Sequence, residues 1–278
     1  MADDPHPQGR QPDPPEATEH LLQHYRQELQ KRFALPPARP PRRPRKVLHG
    51  ALTLLLIGAA LLWLDPAYRS ESHFSRGQRQ MLTLADGSQA LLDINTHLQI
   101  NWHLRSRRLI LESGQVRLDV QRQPWRPLRV DAGSLQVEVL GTTFSLLRDD
   151  KQAQVLVLEG LVAVSDAQGR ERTQLRAGQQ LATREGRLEQ VQRVDPEVAM
   201  AWTQGRLVFQ RTPLADALVQ LQRYHPAPIR LVEPTLAGLP VSGALSILRV
   251  AAFLKALPAL LPVTVTQMEG GSLTIDKR

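Results

Sequence analysis

The sequence predicts a mainly β protein. It should carry a single transmembrane helix, an outer β-sandwich or barrel-like domain, and a small α+β domain at its end. Three observations lead there. An uncharged apolar run, VLHGALTLLLIGAALLWL, fills Val47–Leu64. From Gly77 to about Gln192 the hydrophobic period is two, with turn signals about every ten residues. After Gly205 helical and strand patterns alternate.

Residues 1–46 are expected to form a short inner segment. Met1–Pro15 is rich in Pro and Asp and has little to bury, so it reads as disordered. From Glu16 to Phe33, Leu21, Leu22, Tyr25, Leu29 and Phe33 recur three and four apart, which places them on one face of a helix. Gln23, Arg26, Gln27, Gln30 and Lys31 fall opposite. A lone helix of this length is marginal in water, so the stripe needs a partner: another protein's groove, another copy, or a lipid surface helped by Lys31 and Arg32. Pro36 and Pro37 stop it, and a stiff Pro/Arg linker follows to Lys46. His20 and His24 share a face but have no third ligand nearby, so no metal site is expected.

Residues 47–64 are expected to cross the membrane. At about 1.5 Å per residue such a helix spans a hydrocarbon core of roughly 30 Å. Arg39, Arg42, Arg43, Arg45 and Lys46 precede it with no acid among them, while Asp65, Arg69 and Glu71 follow. That bias leaves the N-terminus in the cytoplasm and everything after Leu64 outside it. Trp63 and Tyr68 suit the headgroup layer. The long leader and the lack of a small-x-small site argue against a cleaved signal peptide.

Residues 77–192 form the predicted β domain. Ala85-Asp86-Gly87, Ser113-Gly114, Ala132-Gly133, Glu159-Gly160, Gln168-Gly169, Ala177-Gly178 and Glu185-Gly186 punctuate short alternating strands. Asp195–Gln204 reads as a short connecting helix. Residues 205–278 then read strand–helix–strand–strand–helix–strand–strand. Thr212-Pro213 is the expected N-cap and first residue of one helix, Ser246 the cap of the second, and Gly270-Gly271 the closing hairpin.

The composition excludes several chemistries. There is no Cys, hence no disulfide, thiolate metal site or Cys nucleophile. The formal charge is +8, but it is partly concentrated before the apolar run, where topology accounts for it. Nucleic acid is therefore not an expected partner. No phosphate loop, HExxH or GxSxG motif is present. Turn carboxylates such as Asp86, Asp149 and Asp150 are explained by their own backbone hydrogen bonds. No enzyme acting on a small-molecule substrate is expected, and no cofactor.

Several stretches resemble one family. LADGSQALLDINTHLQI, VLGTTFSLL, VLVLEGLVAVS and LRAGQQL closely resemble the periplasmic domain of FecR-like transmembrane regulators. AWTQGRLVFQRTPLADALVQLQRY resembles the segment that follows it there, and LAGLPVSGALSILRVAAFLKAL the family's C-terminal domain, similar to the short N-terminal domain of secretins and TonB-dependent receptors. Gln222 stands where the family leads one to expect Asn.

The resemblance implies an inner-membrane anti-sigma factor or sigma regulator. Its cytoplasmic part would hold an extracytoplasmic-function sigma factor. Its periplasmic part would sense a TonB-dependent outer-membrane receptor in iron or siderophore uptake. The family's cytoplasmic domain is larger than the one helix available here. Sigma binding is assigned to Leu21, Tyr25, Leu29 and Phe33, and receptor contact, by strand pairing, to Leu239, Val241 and Leu245. The resemblance also implies a candidate self-cleavage at Gly141–Thr142, where the Thr hydroxyl would attack the preceding carbonyl in an N→O acyl shift. A strand bulge at Gly141 is the alternative. The competing function is a structural envelope protein anchoring a periplasmic β scaffold, which would not need the apolar stripe.

Overall fold

The computed structural model describes residues 16–33, 45–150, 152–268 and 271–278. The Pro/Asp-rich start, most of the Pro/Arg linker and Gly270 of the expected closing hairpin lie outside these residues. The chain divides into two compact units, Met1–Gly58 and Ala59–Arg278.

The first unit holds helix α1, Glu16–Arg32, whose last turn carries Lys31 and Arg32 beside the exposed carbonyls of its C-terminus. Helix α2, Arg45–Leu64, contains the apolar run and begins two residues before it. Among the described residues no helix is long and apolar enough to cross a membrane; in α2 the side chains at 45–49 and 62 lie outside that set.

The β domain has fourteen strands in one sheet that folds over a single core. They are β1 Ala67–Ser75, β2 Gln80–Thr83, β3 Gln89–Leu92, β4 Thr96–His103, β5 Arg107–Asp119, β6 Leu128–Asp131, β7 Leu135–Val139, β8 Thr143–Arg148, β9 Ala153–Glu159, β10 Leu161–Asp166, β11 Arg172–Arg176, β12 Gln179–Arg184, β13 Arg187–Leu188 and β14 Gln192–Arg193. One half runs β1-β4-β5-β6-β7-β10-β11 and the other β2-β3-β5-β8-β9-β12. Strand β5 belongs to both. Its residues 107–110 lie between β4 and β6, and its residues 116–119 between β3 and β8. The inward positions of both halves, including Leu92, Leu98, Ile100, Leu118, Phe144, Val155 and Val164, close the core. Each contributes about 1.5–3 kcal/mol on full burial.

Two expectations for this domain are corrected. The domain begins at Ala67 rather than Gly77. Strand β1, AYRSESHFS, is mostly exposed and, among the described residues, pairs only with β4, so its polar sequence carries no alternation to read. Ser113-Gly114 is not a turn: β5 runs straight through it, and Gly114 supplies the bend at φ +90°.

The link after β14 is α3, Pro196–Ala199, capped by Asp195 Oδ1, which accepts from Glu197 N at 2.9 Å, and a 3-10 turn over Ala201–Gln204. Met200 and Trp202 bury themselves on Leu156 of β9, which fastens the link to the β domain.

The final domain follows the expected order without exception: β15 Arg206–Pro213, α4 Leu214–Gln222, β16 Ile229–Leu231, β17 Pro240–Ser246, α5 Val250–Leu260, β18 Val263–Gln267 and β19 Leu273–Lys277. Strands β15 and β17 pair antiparallel, and β16-β19-β18 form a second small sheet in which β16 runs parallel to β19. Leu214, Ala217, Leu218 and Leu221 of α4 and Val250, Leu254 and Leu257 of α5 meet in the core. Ser246 caps as expected, its Oγ accepting from Leu248 N at 3.3 Å, at the 3-10 turn that leads into α5. Thr212 does not cap α4. Its Oγ1 accepts from Gln210 N at 3.2 Å. The first amides of α4 are satisfied instead by backbone, Leu214 N by Leu239 O at 2.8 Å and Ala215 N by Ala237 O at 3.0 Å.

Candidate functional site

The α1 stripe is open. Leu21, Tyr25, Leu29 and Phe33 are between 55 and 72 % exposed. Four large apolar side chains at helical spacing thus stand exposed on this unit.

The proposed receptor contacts are placed differently. Val241 is buried, and Leu239 and Leu245 pack against the same core as α4 and α5. Their side chains hold the domain together, so strand pairing at β17 would have to use its backbone. β17 has β15 as its only strand neighbour among the described residues, which leaves its other edge unpaired by a strand.

Gly141 and Thr142 lie at the corner between β7 and β8, not within a strand. The bulge of this region falls one step later, between Thr143 and Phe144. Gly141 is not among the positive-φ residues. It is needed for space: a Cβ there would stand 2.6 Å from Arg122 Cα. The corner is held to the end of β5 by Val120 N donating to Thr142 O at 3.0 Å and Gln123 N to Leu140 O at 2.8 Å. Thr142 is buried, and its Oγ1 has no hydrogen-bond partner. A buried hydroxyl normally finds one, so Thr142 Oγ1 is an exception among the described residues.

A polar latch that no local motif announces joins the β domain to the final domain. Tyr224, just after α4, donates its hydroxyl to Asp93 Oδ2 at 2.5 Å, and Arg223 Nη1 donates to Gln115 Oε1 at 2.6 Å. Gln115 in turn reaches Ser145 Oγ at 3.4 Å. Arg79 Nη1 donates to the carbonyls of Trp202 and Thr203. Burial pushes the Asp93 carboxyl above the ordinary carboxylate range; the Tyr224 bond and the charges of Arg223 and Arg79 oppose it without prevailing. Burial, with the Asp93 charge next, also pushes the Tyr224 hydroxyl up, so it stays a donor. The sign follows. An acid whose folded pKa is raised favours the folded form more as pH falls, and costs stability once it ionises. Next to the latch a groove of about 1100 Å³ runs between β12 and β15, with Trp202 Nε1 and Arg223 Nε buried and unpartnered at its wall. Among the described residues no group of three metal-ligating side chains occurs.

Residues 71–163 match the family model described as FecR protein, which bears out the resemblance read from the motifs over that span. Two crystal structures of a "putative anti-sigma factor" from Parabacteroides distasonis share the fold. One aligns with a TM-score of 0.65 and 22 % identity over 75 % of this chain and 99 % of the other. The second gives 0.64 and 22 % over 76 % and 100 %. No curated protein matches the chain.

Proposed function

We propose that this chain is a single-pass inner-membrane regulator of the FecR type, with α1 in the cytoplasm and the β and final domains in the periplasm. In this reading α1 holds an extracytoplasmic-function sigma factor through Leu21, Tyr25, Leu29 and Phe33, and α2 is the anchor. The final domain receives the signal from a TonB-dependent outer-membrane receptor, in iron or siderophore uptake, by pairing at the open edge of β17. The observation that carries the reading is the pairing of a FecR-type β domain with an exposed apolar helix at the other end of the chain. A scaffold protein has no use for that helix.

The test is co-purification of the full chain from membranes. Tyr25→Asp with Leu29→Asp should cut the captured sigma factor at least tenfold, because two buried anchors are lost from a helix-in-groove contact. Chain abundance should not change, since both positions are exposed. Undiminished capture would remove α1 from the mechanism.

Self-processing belongs to the same proposal and is supported by the unpartnered Thr142 hydroxyl. The hydroxyl adds to the Gly141 carbonyl, the C–N bond breaks as the amine takes the proton, and water then cleaves the ester. Thr142→Ala should abolish a fragment beginning at residue 142, read by N-terminal sequencing; Thr142→Ser should retain it. The same fragment from Thr142→Ala would exclude the chemistry.

A further inference from the structure

We propose that one tip of the β domain, built from Tyr68, Leu104, Trp125 and Arg126, is a docking surface for the headgroup layer of an anionic bilayer. The inference rests on reading α2 as the anchor, and adds a second contact with the membrane that no motif announces. Three large side chains emerge here from three separate segments. Trp125 is 94 % exposed, Tyr68 61 % and Leu104 54 %. An isolated exposed apolar residue needs no explanation, but three on one knitted tip do.

Arg126 does the knitting. Its Nη2 donates to Tyr68 Oη at 3.1 Å and to the His103 carbonyl, and its Nε donates to the Ser106 carbonyl at 3.3 Å. Its guanidinium also lies 5.7 Å from the Trp102 ring centroid and 5.9 Å from that of Tyr68. Pro124 and Pro127 bracket Trp125 and restrict its loop.

The depth of the tip is set by Asp65, the first residue after α2. Asp65 N donates to Leu61 O at 3.1 Å, so it closes the helix's last turn. Its Oδ1 accepts from Arg105 N at 2.8 Å and its Oδ2 from Ser106 Oγ at 2.6 Å. The turn carrying Leu104 and Arg105 is thus in direct hydrogen-bond contact with the residue that ends the apolar helix. If α2 fills the hydrocarbon, this turn stands where the headgroups are. Its chemistry fits that layer: indole and phenol rings prefer the interface, and the exposed Arg108 suits lipid phosphates. The Asp65 carboxylate is engaged by the turn itself.

The absence of native Cys allows a direct test with the full chain. Trp125→Cys, Leu104→Cys and, as a control in the final domain, the 89 % exposed Leu248→Cys would each carry an environment-sensitive dye. The proteins are reconstituted into vesicles of phosphatidylcholine and phosphatidylglycerol. A lipid spin-labelled at the headgroup should quench positions 125 and 104 at least twofold more than 248, and iodide should do the reverse. Equal quenching at all three positions overturns the tip contact while leaving the anchor, which flotation of the same vesicles reads separately. A chain that does not float overturns both.

Discussion

Asp86→Ala should destabilise the β domain by about 3–5 kcal/mol, because it strands a buried charge. The Asp86 and Arg107 side chains are 2 and 0 % exposed, and Arg107 Nη1 donates to Asp86 Oδ2 at 2.5 Å. Arg107 also donates from Nε to Arg126 O at 3.0 Å and from Nη1 to Gln121 O at 3.2 Å, while its Nη2 has no partner. Carbonyls orient the guanidinium, but only the carboxylate balances its charge. Asp86 also accepts from Ser88 N at 2.9 Å and Ser88 Oγ at 2.8 Å, so the substitution loosens the β2–β3 turn as well. Burial alone would push the Asp86 carboxyl up, but the bonds from Arg107 and Ser88 together outweigh it and hold the group below its ordinary value. For an acid with a lowered folded pKa, the stability it adds is present above the unfolded value of 3.8 and lost as pH falls through the folded one. Urea unfolding of the full chain should therefore show the wild type losing stability more steeply than Asp86→Ala below about pH 4. A loss under about 1 kcal/mol at neutral pH would mean that water reaches Arg107 and screens it.

That ion pair shows what the sequence hides. Ala85-Asp86-Gly87 was legible as a turn, and Asp86 does bond Ser88 as turn aspartates do. Its second partner lies twenty-one residues on, and no local rule selects one arginine out of so many. Tyr224 and Arg223 were hidden in the same way: Tyr224 fits the apolar side of α4, and its bond to Asp93 spans 131 positions. The final domain, by contrast, follows the order of elements legible in its sequence, although the cap expected at Thr212 is not made. Both helices show an amphipathic stripe, so local pattern and tertiary demand largely agree. Strand β1 was lost because an edge strand with one partner need not alternate. The exposed α1 stripe was plain because nothing on its own unit covers it. An apolar strand residue serves core and contact alike in sequence, and on β17 the core has Val241.

The split of β5 into two strands failed on one residue, and Gly114→Ala tests why that residue is there. The expected cost is about 2–6 kcal/mol, from two sources that act together. At φ +90° any Cβ is strained, by about 1–3 kcal/mol. The new Cβ would also stand 2.5 Å from Thr96 Cα and 2.5 Å from Thr96 Oγ1, an overpacking of about 1–3 kcal/mol. The backbone cannot retreat cheaply. Thr96 Oγ1 donates to Gln115 O and accepts from Gln115 N, both at 3.0 Å, and Thr96 N donates to Ser75 Oγ at 3.0 Å. Moving Thr96 therefore disturbs β1, β4 and β5 at the point where β5 passes from one half of the sheet to the other. The effect should reach the latch, since Gln115 Oε1 receives Arg223. Hydrogen exchange should then report faster opening at Gln115 and at Arg223 in the variant, with α5 little changed. Protection at Arg223 equal to wild type would show that the bend of β5 and the attachment of the final domain are independent.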